Sequence, residues 1–161
     1  MDTMPDTMKI KLLYEDSKIM TRGSAQAAGY DLCAHVPYEE CDNVIGDKNC
    51  IIIPPHETRK IGTGIAAAIP EGHFGGIFAR SGLATKEGLR PANGVGVVDS
   101  DYRGELVVAL YNDSGMPRYI SDGERIAQLI IIPYLSVELF VSDELDETDR
   151  GDGGFGSTGV Q

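Results

Sequence analysis

Two carboxylates, Asp99 and Asp101, stand beside an aromatic and a cation in Asp99-Ser100-Asp101-Tyr102-Arg103-Gly104, directly after the apolar run Val95 to Val98. In an extended segment both would point the same way, because side chains alternate with a period of two. One of them could then serve as general base on a water. A polar hairpin tip accounts for the same residues and, taken alone, is the better explanation. A second group, Ala79-Arg80-Ser81-Gly82-Leu83-Ala84, ends a strand and starts a helix. Free N–H groups at a helix start favour an anion, and Arg80 and Ser81 add a cation and a donor. Ordinary capping is equally consistent with them. In Arg125-Ile126-Ala127-Gln128-Leu129 two polar residues interrupt an apolar strand at odd spacing. A regular strand would send them to opposite faces, so a bend or bulge is needed for both to reach one ligand. Without one, Arg125 is an outward-facing edge residue.

The stretch Arg150 to Gly159 is glycine-rich, with hydroxyls at Ser157 and Thr158 and a single large apolar residue, Phe155. Glycines such as Gly154 and Gly156 let the backbone approach a ligand closely. It is not a Walker loop, because no Lys follows Gly156. An uncommitted tail has the same composition. The weakest signal is Ala28-Gly29-Tyr30-Asp31-Leu32, where a buried Asp after a turn reads as structural.

The elements that must position these groups read as β throughout. Short runs rich in Val and Ile alternate with Gly, Pro, Asn and Asp. The pattern predicts strands at Lys9 to Tyr14, Cys50 to Ile53, Thr58 to Ile69, Gly75 to Ala79, Val95 to Val98, Leu106 to Tyr111, Arg125 to Tyr134 and Val137 to Val141. One short helix is expected near Ser81 to Glu87, capped by Ser81 and ended by Gly88. A jelly-roll or barrel-like sandwich follows, over residues 1–142. Residues 143–161 begin with an acidic run, Asp143 to Asp149, and have little apolar surface to bury. They are expected to form a mobile arm that orders on a ligand or partner.

A formal charge of −11 disfavours broad nucleic-acid binding but not a small polyanion held by converging arginines. No apolar stretch is long enough to span a membrane, and Met1 to Met8 carries Asp2 and Asp6 with no basic residue. The expectation is a soluble cytoplasmic protein that engages neither membrane nor nucleic acid. Cys33, Cys41 and Cys50 are expected to be free thiols, although Cys41 and Cys50 could face each other across a hairpin. His35, His56 and His73 lack zinc spacing and are expected on the surface or in loops.

Taken in order, these five groups, with the third read as Gly96 to Gly104, resemble the five motifs of the trimeric dUTPase family over about Lys9 to Gly159. The resemblance implies an all-β jelly-roll, or β-clip, barrel that hydrolyses dUTP to dUMP and pyrophosphate with Mg²⁺. Such an activity feeds dTTP precursor supply and keeps uracil out of DNA. It implies a homotrimer whose sites draw on all three chains. By resemblance Asp99 orients and deprotonates the water that attacks the α-phosphorus. Asn93 and the hairpin backbone through Val98 read the uracil edge, and Tyr102 packs under the deoxyribose and excludes a 2′-hydroxyl. Arg80, Ser81 and Gly82 hold phosphates, with Gln128 adding a phosphate or water contact. Arg150, Ser157 and Thr158 grip the γ-phosphate within the loop that contains Gly154 and Gly156, while Phe155 stacks on uracil. Asp31 supports Mg²⁺ indirectly through water, and Arg125 orders the site. Ala79 departs from the family's usual Pro or Gly, and Tyr38 to Asn49 is a surface extension longer than usual. A dCTP deaminase of the same fold and a nucleotide-gated regulatory binding protein are the competing readings.

Overall fold

The computed structural model describes residues 7–154 of the chain. Its strands are β1 Lys9–Leu12, β2 Thr21–Arg22, β3 Tyr30–Cys33, β4 Asn43–Ile45, β5 Lys48–Ile53, β6 Thr58–Ala68, β7 His73–Phe78, β8 Leu89–Pro91, β9 Gly96–Val98, β10 Glu105–Asn112, β11 Arg118–Ser121 and β12 Arg125–Pro133. They form three sheets, ordered β1-β6-β10-β8, β11-β5-β4 and β2-β3-β12-β7-β9. Every pairing is antiparallel, as the alternating sequence requires. The three sheets close around one core in an all-β jelly-roll arrangement, with Leu32, Ile53, Ile61, Ile65, Leu110, Ile120 and Leu129 fully buried.

β10 shows how pattern becomes packing. Leu106, Val108 and Leu110 point inward and Val107 outward, and the inward series ends on Asn112, which is wholly buried. Its amide donates to the carbonyls of Ile53 (3.0 Å), Pro54 (3.2 Å) and Met116 (2.7 Å), while its Oδ1 accepts from Ser114 N and Oγ. A polar group at that depth persists because each of its hydrogen bonds is made.

Two strands depart from regular alternation. In β6 the partner of Glu105 is Ala66 and that of Val107 is Gly62, so extra residues of β6 bow out around Gly64, whose φ is 67°. In β12 Arg125 opposes Cys33 and Ala127 opposes Leu32, a bulge that puts Ile126 and Ala127 both in the core.

Several expectations need correction. Val137 to Val141 forms no strand; Val137, Leu139, Phe140 and Val141 lie exposed, since no neighbouring strand pairs with them. The short helix runs over residues 81–87 as expected, with Leu83–Glu87 as a π-turn, but Ser81 lies within it and does not cap it. Gly88, with φ 70°, does end it. A further short element, a 3₁₀ turn over Tyr38–Glu40, sits in the 38–49 extension, which continues into the β4–β5 hairpin. That hairpin is tied down by Asp42, which accepts from Ile52 N (2.8 Å) and from Arg59. His35 is buried rather than superficial: Tyr14 stacks on it at 4.3 Å, and its Nε2 meets Asp16 at 2.9 Å. All three cysteines are free, and burial pushes the Cys33 and Cys50 thiols up, away from the reactive thiolate. Among the described residues no helix is long and apolar enough to cross a membrane.

Candidate active site

β3 and β12 lie side by side with Gln128 opposite Asp31, so both side chains share a face. The bulge at Ile126 and Ala127 turns Arg125 onto that face as well, which regular alternation would have forbidden. β7, on the other side of β12, ends at Phe78 and delivers Arg80 to the same place. The result is a polar cleft of about 280 Å³ lined by Asp31, Arg80, Ser81, Gly82, Arg125 and Gln128, with Gly23, Ala27 and Gly29 at its wall.

Asp31 organises this cleft. Its Oδ1 accepts from Arg80 Nε at 3.0 Å and its Oδ2 from Arg125 Nη1 at 3.2 Å. Arg80 Nη1 also donates to the Arg125 carbonyl at 3.2 Å. One carboxylate thus holds two guanidiniums, leaving a net positive charge and spare N–H donors facing the opening. Gln128 Nε2 donates to the Ala79 carbonyl at 2.9 Å. It can do so because Gly29 stands opposite: a Cβ there would lie 2.6 Å from Gln128 Oε1. Ser81 and Gly82 are exposed at the head of the π-turn. This arrangement suits a polyanion.

A second cleft, of about 240 Å³, lies along the turn that carries the chain from β9 to β10, which belong to different sheets. Asn93, Val98, Asp99 and Tyr102 line it, with Ile77 at its base and Glu105 and Val107 on β10. Asp99 and Asp101 are not in an extended segment. Tyr102 N donates to the Asp99 carbonyl at 3.2 Å, a turn that keeps Asp99 in the cleft and leaves Asp101 out of its lining. Arg103 closes the turn from outside, donating to the carbonyls of Ser100 (2.7 Å) and Tyr102 (2.8 Å). The Tyr102 hydroxyl donates to the Glu105 carbonyl at 3.0 Å. Gly104 has no Cβ for a reason: one would lie 2.6 Å from the Tyr102 ring carbon Cζ. The cleft has a mixed lining, with apolar Ile77, Val97, Val98 and Leu106 beside the polar Asn93, Asp99 and Glu105.

The two clefts share no lining residue. Arg150 and Gly154 line neither. Arg150 is exposed and donates from Nε to Gly153 O at 2.7 Å. Phe155, Gly156, Ser157 and Thr158 lie outside the described residues. Sequence reading noted Arg103 only as a cation beside the carboxylates, not as the brace of the turn, and passed over Glu105, considered further below. The signal for Arg103 was its place between a tyrosine and a glycine in a turn.

Solved structures with the same fold are dUTPases. A mutant of the Staphylococcus bacteriophage 80alpha dUTPase with dUpNHpp matches it with TM-score 0.83 and 28% identity, covering 97% of this chain and 100% of that one. A mutant dUTPase of S. aureus phage phi11, described with a structural Mg(II) ion, matches with TM-score 0.75 over 88% of this chain and 100% of that one; at 24% identity the likeness is one of fold alone. The dUTPase family model matches residues 15–159, and the chain belongs to the dUTPase family. It is 44% identical to the deoxyuridine 5′-triphosphate nucleotidohydrolase of Desulfitobacterium hafniense (strain DSM 10664 / DCB-2) over 96% of this chain and 99% of that one.

Proposed function

We propose that the protein hydrolyses dUTP to dUMP and pyrophosphate, with Asp99 activating the water that attacks the α-phosphorus. The observation that carries this is the pair of clefts in a chain of this family: one with a mixed apolar and polar lining that suits a base and sugar and includes Asp99, and a separate nest of arginines for phosphates. Asn93 and the backbone through Val98 read the uracil edge, and the close wall leaves no room for a 5-methyl group. Tyr102 is the floor for the deoxyribose and the barrier to a 2′-hydroxyl. Arg80, Ser81, Gly82 and Gln128 hold the phosphates, while Asp31 and Arg125 keep Arg80 aimed. Phosphoryl transfer needs positioning and charge neutralisation more than covalent help, and this set supplies both.

Among the described residues no cluster of three or more His, Cys, Asp or Glu could hold a metal ion. Both oxygens of Asp31 already accept from arginines. These residues fit a Mg²⁺ that arrives on the triphosphate with its waters, one of which Asp31 could accept; they do not form a cage. When bound, the ion supplies charge neutralisation on the phosphate oxygens.

Each cleft is smaller than a pocket that encloses a whole drug-sized ligand, roughly 300–1,000 Å³. That supports a site completed by a second copy of the chain, within a homotrimer. The row Leu135, Leu139, Phe140, Val141 and Leu145, each about nine-tenths exposed, supports the same reading, since a chain on its own rarely leaves so much apolar surface in water. Residues 1–142 then form the body, and residues 143–161 are an arm that brings Arg150, Ser157 and Thr158 to the γ-phosphate and Phe155 over the uracil.

The test is pyrophosphate release from dUTP, dTTP, dCTP and UTP, with Mg²⁺ and with EDTA, ammonia being measured in parallel. The expected result is release from dUTP alone, suppressed by EDTA. Ammonia from dCTP would replace this reading with a deaminase.

A further inference from the structure

We propose that Glu105 is a positioning residue for sugar selection: its carboxylate, clamped on the bowed-out turn of β6, fixes the backbone oxygen that holds Tyr102 upright. This rests on the reading of Tyr102 as the barrier to a ribose.

The Tyr102 hydroxyl has a protein acceptor, the carbonyl of Glu105, at 3.0 Å. The ring's angle is therefore set by where that carbonyl sits. Glu105 begins β10 opposite Ala66, and the ladder shifts register immediately after it, so a single paired residue holds it before the irregular stretch. Its side chain adds a second tie to β6. Glu105 Oε1 accepts from Gly64 N at 2.7 Å, across 41 residues of sequence. Gly64 is held in turn, its carbonyl accepting from Leu13 N at 2.8 Å, and the next carbonyl of β10, on Leu106, accepts from Thr63 Oγ1 at 2.7 Å. The end of the turn is thus anchored on β6 by a side chain at one residue and by a hydroxyl at the next. The approach requires Gly62: a Cβ there would lie 2.5 Å from Glu105 Oε1. A strand opening that served only to start β10 would need neither the carboxylate nor the missing Cβ.

Two independent variants disturb the clamp without touching Tyr102. Glu105→Ala removes the acceptor. Gly62→Ala pushes the carboxylate away from β6, and Gly62 has no positive φ that would strain an alanine. Glu105→Gln keeps an acceptor oxygen. The measurement is the ratio of kcat/KM for dUTP to that for UTP in the full-length protein. A misplacement on the order of 1 Å costs about a hundredfold in a positioned site. Both alanine variants should therefore lower the ratio by about tenfold to a hundredfold, and Glu105→Gln should restore most of it. In a Tyr102→Phe background, which lacks the hydroxyl, Glu105→Ala should cost little more, because neighbours acting through one contact are not additive.

If Glu105→Ala does not fold, Gly62→Ala and the glutamine rescue decide the matter. An unchanged ratio in the folded variants, or an equal loss on both nucleotides, overturns the positioning role while leaving the dUTPase reading intact. A wild-type protein that does not distinguish dUTP from UTP sinks both.

Discussion

At the residue scale, the turn from Asp99 to Tyr102 separates two carboxylates that the sequence leaves equivalent. Asp99 lines the cleft beside this turn and Asp101 does not. Asp99→Asn should keep the nucleotide and lose turnover by about 10²- to 10⁴-fold, the usual cost of a positioned base. Equilibrium binding of a non-hydrolysable dUTP analogue alongside steady-state rates checks this; near-normal turnover would remove Asp99 from the role. Gly29 is a second point of leverage. In Gly29→Ala the new Cβ would lie 2.6 Å from Gln128 Oε1 and so displace its bond to Ala79. A hydrogen bond of this kind is worth about 0.5–1.5 kcal/mol, so KM for dUTP should rise up to about tenfold with kcat little changed. An unaltered KM would mean that Gln128 does not face the phosphates. The sequence made Asp99, Arg80 and Tyr102 visible as residue types in suggestive company. It could not show that Asp31, by default a structural aspartate, holds two arginines at once, because its partners lie 49 and 94 residues away.

Elements carry the next level. Seven of the eight strands read from alternation occur, with boundaries shifted by one or two residues. The short strands β2, β3, β4, β8 and β11 escaped because two to four residues hold too little pattern. The odd spacing of Arg125 and Gln128 raised a bulge only as the condition for both to reach one ligand and favoured an outward-facing edge arginine; β12 has the bulge. Val137 to Val141 has strand composition but no partner strand among the described residues, and composition cannot supply one. Asn112 seals the end of β10, so Asn112→Ala should cost about 1–3 kcal/mol for each carbonyl left unpaired, read by denaturant unfolding. A cost below that range would mean that water replaces the amide. The extension hairpin has its own acid sensitivity. The Ile52 N–H, and after it Arg59, hold the Asp42 carboxyl below its ordinary value of 3.8. Its contribution to stability is then complete above that value and fades as pH falls through the lowered one. Asp42→Asn should lower Tm at neutral pH and leave it nearly unchanged in strong acid. An equal loss of Tm at both pH values would contradict this assignment.

On the scale of the whole molecule, the separate clefts set the decisive experiment for a shared site. A chain cut after Asp149 should stay folded, since among the described residues nothing beyond Ile131 packs on the core. It should lose most activity with Arg150 and the cover over the base. Mixed with full-length Asp99→Asn and allowed to exchange subunits, it should regain activity, because some sites then pair an intact Asp99 with an intact arm. Mixed trimers that form and remain inactive would mean that each arm closes over its own chain's aspartate.

The bare row from Leu135 to Leu145 bears on more than assembly. Chaperones and proteases survey new chains for extended apolar stretches of this kind, and an unaccompanied subunit wears one openly. In the proposed trimer, any copy made in excess of its partners would carry its own mark for removal. If that row is what joins the proposed trimer, the working concentration of the protein is policed by the same residues that assemble it, and a substitution to Ser or Lys there would lengthen the life of single chains while shortening the supply of assembled ones.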